Sequence, residues 1–232
     1  MSAVKQKHCS IILVLLLVFV SLPSHATLKL RDMYFNPKSN IQLENITNIS
    51  ETESDFVKVT VSELQFDEET AKFEEVALSD PTDLVISPSR IVIPPLSTVP
   101  FRVISKPSDK LKIYRVRFTP ISPKVELGFT QEEVDAAVVA TGVSIKMAMG
   151  TIFYIDPVKK QYDTSIERKG KEVVVTNKGN SMVIIDQIKS CIEDICKPDG
   201  RFLLRPGSVY KMAGEKVKLR INEGLESESY EL

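Results

Sequence analysis

Apolar and polar side chains alternate with a period of two over short stretches of this chain, the pattern of half-buried β-strands. Ile41 to Ile46 is one such run, and Phe56 to Leu64 is a longer, β-branched one. An extended opening from Leu28 to Phe35 precedes them. Further strands are predicted at Leu84 to Ile86, Arg90 to Ile93, Val99 to Ile104 and Ile113 to Phe118, and a long one from Val138 to Ile155. Pro81, Pro88, Pro94, Pro95, Pro100, Pro107, Pro120, Pro123 and Pro157 punctuate these runs. Proline lacks a backbone donor, so this density forbids long helices and suits loops and sheet edges. One segment has a helical start: Thr130, followed three residues on by Glu133, forms a capping-box pattern ahead of Val134 to Val139, and the same stretch reads equally as an acidic loop.

After Asp156-Pro157 the pattern restarts with shorter strands, at Tyr162 to Glu167, Glu172 to Thr176, Met182 to Ile188, Arg201 to Leu204, Ser208 to Met212 and Lys216 to Ile221. Lys169-Gly170 and Asn177 to Asn180 carry turn residues that tolerate positive φ. Strands at this spacing describe a small β-sandwich. The chain is therefore predicted to be all-β, with two sequential sandwich domains at 27–156 and 157–232. No internal repeat shows as self-similarity.

Residues 1–26 interrupt the strand pattern. Lys5 and Lys7 lead into an unbroken apolar run from Ile11 to Val20, and Ser24-His25-Ala26 places small residues around a cut after Ala26. This reads as a cleaved secretory signal. The run is about half the roughly 20 apolar residues a transmembrane helix needs. The mature protein is expected to be soluble in an exported compartment, with no stable membrane insertion. Cys9 precedes the apolar run, whereas a lipid-acceptor cysteine would follow it.

Cleavage sharpens the composition. Of 30 Lys and Arg, Lys5 and Lys7 would leave with the signal, so 28 face 31 Asp and Glu, a balance of −3. Nothing here matches the concentrated basic face that counterion release from nucleic acid requires. The chain has two histidines, His8 and His25, and no tryptophan. Both histidines lie in the signal, so the mature chain has neither an imidazole base nor an imidazole metal ligand. An enzyme is disfavoured, and no cofactor or metal is expected. Paired carboxylates in Asp67-Glu68-Glu69 and Glu74-Glu75 could serve an acid–base reaction, but such clusters are usually solvated hairpins. Asn45-Ile46-Thr47 and Asn48-Ile49-Ser50 match glycosylation acceptors, which matter only in a eukaryotic secretory pathway. Cys191 and Cys196, five apart, are most simply a structural disulfide in an oxidising compartment. A metal or redox pair is the rival, weakened because the spacing is not C-x-x-C.

The most informative stretch is Val139 to Gly150. Odd positions are large and mostly apolar, and even positions are small apart from Lys146. A strand of this sequence presents one bulky ridge and one nearly smooth face. The ridge either supplies half of a sandwich core or projects from a sheet edge into a groove of another protein, as in β-strand addition.

Several segments together bear on that choice. Leu84 to Pro95, then Phe101-Arg102-Val103, then Tyr114-Arg115-Val116-Arg117-Phe118 resemble the middle of the first domain of periplasmic pilus chaperones of the immunoglobulin-like PapD type. Tyr34-Phe35-Asn36-Pro37 with Ile46-Thr47-Asn48 is similar to that family's first two strands. Val174 to Asn180, the cysteine pair and Leu204 to Gly207 are similar to its second domain. The absence of tryptophan, and Lys112 to Phe118 where the main branch has another signature, lean toward the colonisation-factor and common-pilus branch. The resemblance covers essentially the whole mature chain.

It implies two immunoglobulin-like domains in a boomerang, no enzymatic activity and a periplasmic location. Such a chaperone lends its G1 strand to an incomplete pilin subunit or tip adhesin and delivers it to an outer-membrane usher. Val143, Ile145 and Met147 would then be donated, with Val139 and Thr141 extending the ridge. A ridge of this kind leaves self-association of the free protein open. The family also anchors the subunit's C-terminal carboxylate with cations. Lys146 matches one of them locally. Arg31 is near the other, but counting from Pro37 the family's arginine falls on Met33, so Arg115 or Arg117 could substitute. An immunoglobulin-like pilus subunit or adhesin is the alternative reading, although Thr27 to Arg31 is too short for a pilin's donor extension.

Overall fold

The computed structural model describes residues 27–67, 69–70, 72–121, 130, 132, 147–193 and 195–232. The signal segment, the capping-box stretch apart from Thr130 and Glu132, and most of the ridge lie outside these residues.

The first ten strands are β1 (Leu28–Leu30), β2 (Tyr34–Phe35), β3 (Ile41–Asn48), β4 (Asp55–Asp67), β5 (Lys72–Val76), β6 (Leu84–Ser87), β7 (Arg90–Ile93), β8 (Thr98–Ser105), β9 (Lys112–Pro120) and β10 (Met149–Ile155). They form two sheets. One runs β1-β3-β8-β6, and the other runs β2-β10-β9-β4-β5 with β7 also paired to β4. Alternation decides which side chains meet between the sheets. Leu28, Leu30, Ile46, Leu84, Ile86, Phe101 and Val103 from the first pack on Val57, Val59, Tyr114, Val116, Phe118 and Phe153 from the second. Phe101 and Phe118 meet at 5.3 Å between ring centroids, and Phe35 stacks on Phe153 at 4.8 Å. Burial of each such ring contributes about 1.5–3 kcal/mol.

The remaining strands are β11 (Thr164–Lys169), β12 (Glu172–Asn177), β13 (Val183–Ile192), β14 (Ile195–Pro198), β15 (Phe202–Leu204), β16 (Val209–Ala213), β17 (Lys216–Glu223) and β18 (Glu226–Glu231). They form sheets β11-β12-β16 and β14-β13-β17-β18, with β15 also on β13. Their core holds Val173, Val175, Val183, Ile185, Ile188, Leu204, Met212, Val217, Leu219 and Ile221. Ile185 and Ile188 are three apart yet both buried. A bulge between Asp186 and Lys189, with Gln187 at φ 50°, resets the alternation and makes this possible.

Two expectations are refined. Pro100 lies inside β8, an interior strand, rather than at a sheet edge. It faces Asn45 of β3, whereas β6 pairs with β8 only at positions 102–105, so its missing donor falls where one neighbour has ended. Gly170 has the expected positive φ of 64°, but Gly179 does not. A Cβ at Gly179 would lie 2.3 Å from the Gln161 carbonyl oxygen, so close backbone approach requires glycine there.

Three strands escape the sequence reading. β5 is the return arm of the polar hairpin, pairing Phe73 with Phe66. β14 and β18 follow tight turns, and β18 carries Glu and Ser at its first four positions, with Tyr230 as its one residue packed against the core. Backbone pairing with β13 and β17 makes them strands.

Candidate functional site: the edge of β10 and the face beside it

β10 pairs with β9 along its whole length, from Met149 opposite Phe118 to Ile155 opposite Lys112. On its other side, β2 covers it only at Ile152 and Phe153, in parallel. The Met33 carbonyl accepts from the Ile152 amide at 2.9 Å and from the Thr151 hydroxyl at 2.8 Å. Among the described residues, no strand pairs with Met149 or Gly150 on that side. An uncovered strand edge offers main-chain groups for pairing.

Within β10, Phe153 and Ile155 point into the first core and Met149 packs against it. Met147 precedes the strand and is 55% exposed. It is the one predicted ridge residue within the described part of the chain. Val139, Thr141, Val143, Ile145 and Lys146 lie outside it.

The outer face of the same sheet carries Arg115 and Arg117, opposite Ile152 and Gly150 of β10. Arg117 is engaged by Glu75 of β5 through a two-pronged contact, its second nitrogen at 2.6 Å from Oε2. Ser62 also donates to Glu75, at 2.5 Å. Hydrogen bonds from Arg117 and Ser62 hold the Glu75 carboxyl down at about 2, and Glu75 in turn raises Arg117. Arg115 is different. Its Nε is buried and has no hydrogen-bond partner among the described residues.

Arg31 stands elsewhere, in the bend after β1. It pairs with Glu44 at 3.1 Å and Asp32 at 3.5 Å, and its side chain is 67% exposed. The residue that lies against β10 is Met33. The structure thus brings Arg115 and Arg117 together beside β10 and keeps Arg31 on a carboxylate of the other sheet. The sequence marks Glu75 only as part of a solvated hairpin. Its role depends on a 42-residue separation from Arg117 that no local pattern encodes.

Below these arginines, Leu64, Ile113 and Tyr154 of the outer face pack on Met182 from the second group of strands. Burial raises the Tyr154 hydroxyl. Beside this contact opens a cleft of about 900 Å³, lined by Leu64, Phe66, Phe73 and Ile113 on one wall and by Asn180 and Arg205 on the other. The Arg205 guanidinium lies 3.3 Å from the Phe66 ring centroid. Among the described residues, no group of three His, Cys, Asp or Glu is placed to hold a metal ion, and no helix is long and apolar enough to cross a membrane.

Cys191 and Cys196 are bonded to each other, as expected, across the β13–β14 hairpin. Of the two glycosylation triplets, Asn45 is exposed on β3. The Asn48 amide is buried and bonded to the Glu53 and Ile93 carbonyls, which removes it as an acceptor in the folded chain.

No family model and no curated protein matches this sequence. Solved structures do. The class 5 fimbriae chaperone CfaA is similar with a TM-score of 0.58 at 18% identity, over 88% of this chain and 97% of that one. A chain of the chaperone–tip adhesin complex of CFA/I fimbriae biogenesis is similar with a TM-score of 0.53 at 19% identity, over 89% and 98%. A chain of the CsuC–CsuE pre-assembly complex from archaic Csu pili of Acinetobacter baumannii gives 0.53 at 14% identity, again over 89% and 98%. This chain has the two-sandwich, all-β fold of the PapD-type fimbrial chaperones.

Proposed function

We propose that this protein is a periplasmic fimbrial chaperone that completes pilus subunits by donor-strand complementation. One observation carries the reading: among the described residues β10 has no partner on one side at Met149 and Gly150, directly after the alternating apolar segment of the sequence that ends at exposed Met147. The donated side chains are Val139, Thr141, Val143, Ile145 and Met147. They share odd numbering with core-facing Phe153 and Ile155, as one continuous ridge requires. Main-chain pairing supplies affinity and the alternate side chains supply specificity.

The clients are pilin subunits and the tip adhesin, and the loaded complex is delivered to an outer-membrane usher. Export follows cleavage after Ala26, and the mature chain divides at Asp156-Pro157. Arg115, with Lys146, anchors the client's C-terminal carboxylate. Its Nε has no hydrogen-bond partner among the described residues, which supports that role, while Arg31 and Arg117 are already held by carboxylates. The reading assigns the protein no enzymatic activity.

The test is co-purification from a periplasmic fraction. Ile145→Asp with Met147→Asp should abolish recovery of the subunit, with the circular dichroism of the chaperone unchanged. Retained subunit in that variant overturns the reading, as does polymerisation of the purified protein, which would mark a structural subunit.

A further inference from the structure

The two sandwiches meet through apolar packing, through hydrogen bonds, and through two guanidinium–ring contacts, Arg205 on Phe66 and Arg201 on Tyr34. Leu64, Ile113, Tyr154 and Met182 form an apolar cluster, with Leu111, Ile152, Ile184 and Leu203 packed against it. Such contact is non-directional and holds two surfaces together without setting their angle. Hydrogen bonds to a buried carboxylate are directional.

One carboxylate sits at the junction. Asp156 follows β10 directly, and its side chain is 2% exposed. Its Oδ1 accepts from the Met182 amide at 3.0 Å, at the entry to β13 in the second sandwich. Its Oδ2 accepts from Asn36 Nδ2 at 2.8 Å, just after β2 in the first, and lies 3.1 Å from Lys160 Nζ in the connecting segment. The connection is tied on both sides as well: Val158 donates to the Ser108 carbonyl, and Asn180 bonds the backbone at Lys159 and Gln161.

We propose that Asp156 is the clasp that sets the angle between the two sandwiches. A carboxylate suits three donors because both oxygens accept. An asparagine would offer one accepting oxygen and turn an NH2 group toward the remaining donors. It would leave either the buried Met182 amide or Asn36 without its partner, and an orphaned buried donor is costly. The other ties link the connecting segment to one sandwich at a time. Asp156 links both to the connection through a single rigid group. The inference concerns the junction alone and does not depend on the chaperone reading.

The experiment measures the angle, not binding. Spin labels on Lys58→Cys and Lys211→Cys, both exposed positions, report the distance between sandwiches by double electron–electron resonance in the full mature chain with its disulfide formed. Asp156→Asn should broaden and shift the distribution, with hydrogen-exchange protection of both cores retained. A distribution superimposable on the parent's overturns the proposal. Should Asp156→Asn fail to fold, Asn36→Ala decides the matter, since it removes one donor and leaves the carboxylate two. A broadened distribution in that variant supports the clasp, and an unchanged one overturns it.

Discussion

Asn48 and Asn177 perform one task in two different sandwiches. Asn48, at the end of β3, donates to the Glu53 and Ile93 carbonyls at 2.7 and 3.0 Å, and its Oδ1 accepts from the Ser50 amide. Asn177, at the end of β12, donates to the Ser181 and Leu204 carbonyls at 2.9 and 2.8 Å, and its Oδ1 accepts from the Gly179 amide. Both residues are fully buried. This is an internal repeat that sequence comparison of the two halves does not reveal, because it survives only as Thr47-Asn48 and Thr176-Asn177. Two shared residues carry no similarity signal, whereas a strand end with two converging carbonyls selects an amide side chain each time. Alanine at either position removes both donated side-chain hydrogen bonds from a buried strand end and should cost about 3 kcal/mol in urea denaturation. Aspartate should be no milder, since a carboxylate cannot donate to those carbonyls.

At the scale of the element, β10 combines two roles along one strand. Its downstream half belongs to the fold, because Phe153 is buried and stacks on Phe35. Met147, two residues before the strand, is exposed and contributes little to the first core. Phe153→Ala should therefore destabilise the protein by about 3–5 kcal/mol, whereas Met147→Ser should stay within about 0.5 kcal/mol of the parent. Chemical denaturation of the two variants checks the contrast. Of the long strand predicted from Val138 to Ile155, residues 147–155 are described, and the strand occupies Met149–Ile155, where period-two alternation and an antiparallel partner coincide. β18 teaches the converse lesson. Glu226 to Glu231 carries no apolar periodicity, and its strand character comes from hydrogen bonds to β17 across the Gly224 turn. Strands defined by burial are legible in sequence, and strands defined by pairing alone are not.

For the molecule as a whole, two cores and one junction define the stability. The disulfide lies wholly within the second unit, closing the short β13–β14 hairpin. Closing so short a loop is worth about 2 kcal/mol in the chain-entropy account. Cys191→Ser with Cys196→Ser should lower the stability of the second sandwich by about that amount. Hydrogen exchange read by mass spectrometry should show lost protection in β13 and β17 and none lost in β4 and β9. The amino-acid sequence by itself determined the all-β class, the two runs of strands, the turn chemistry and the alternating ridge. Each of these follows from periodicity or residue type within a few neighbours. Only the tertiary structure decided that Glu75 holds Arg117, that Met33 rather than Arg31 lies against β10, and that Asp156 joins Asn36 to Met182. Those partners are 42, 119 and up to 120 residues apart in the chain. Each residue type is written in the sequence, but which one meets which is set by sheet register and by how the two sandwiches pack.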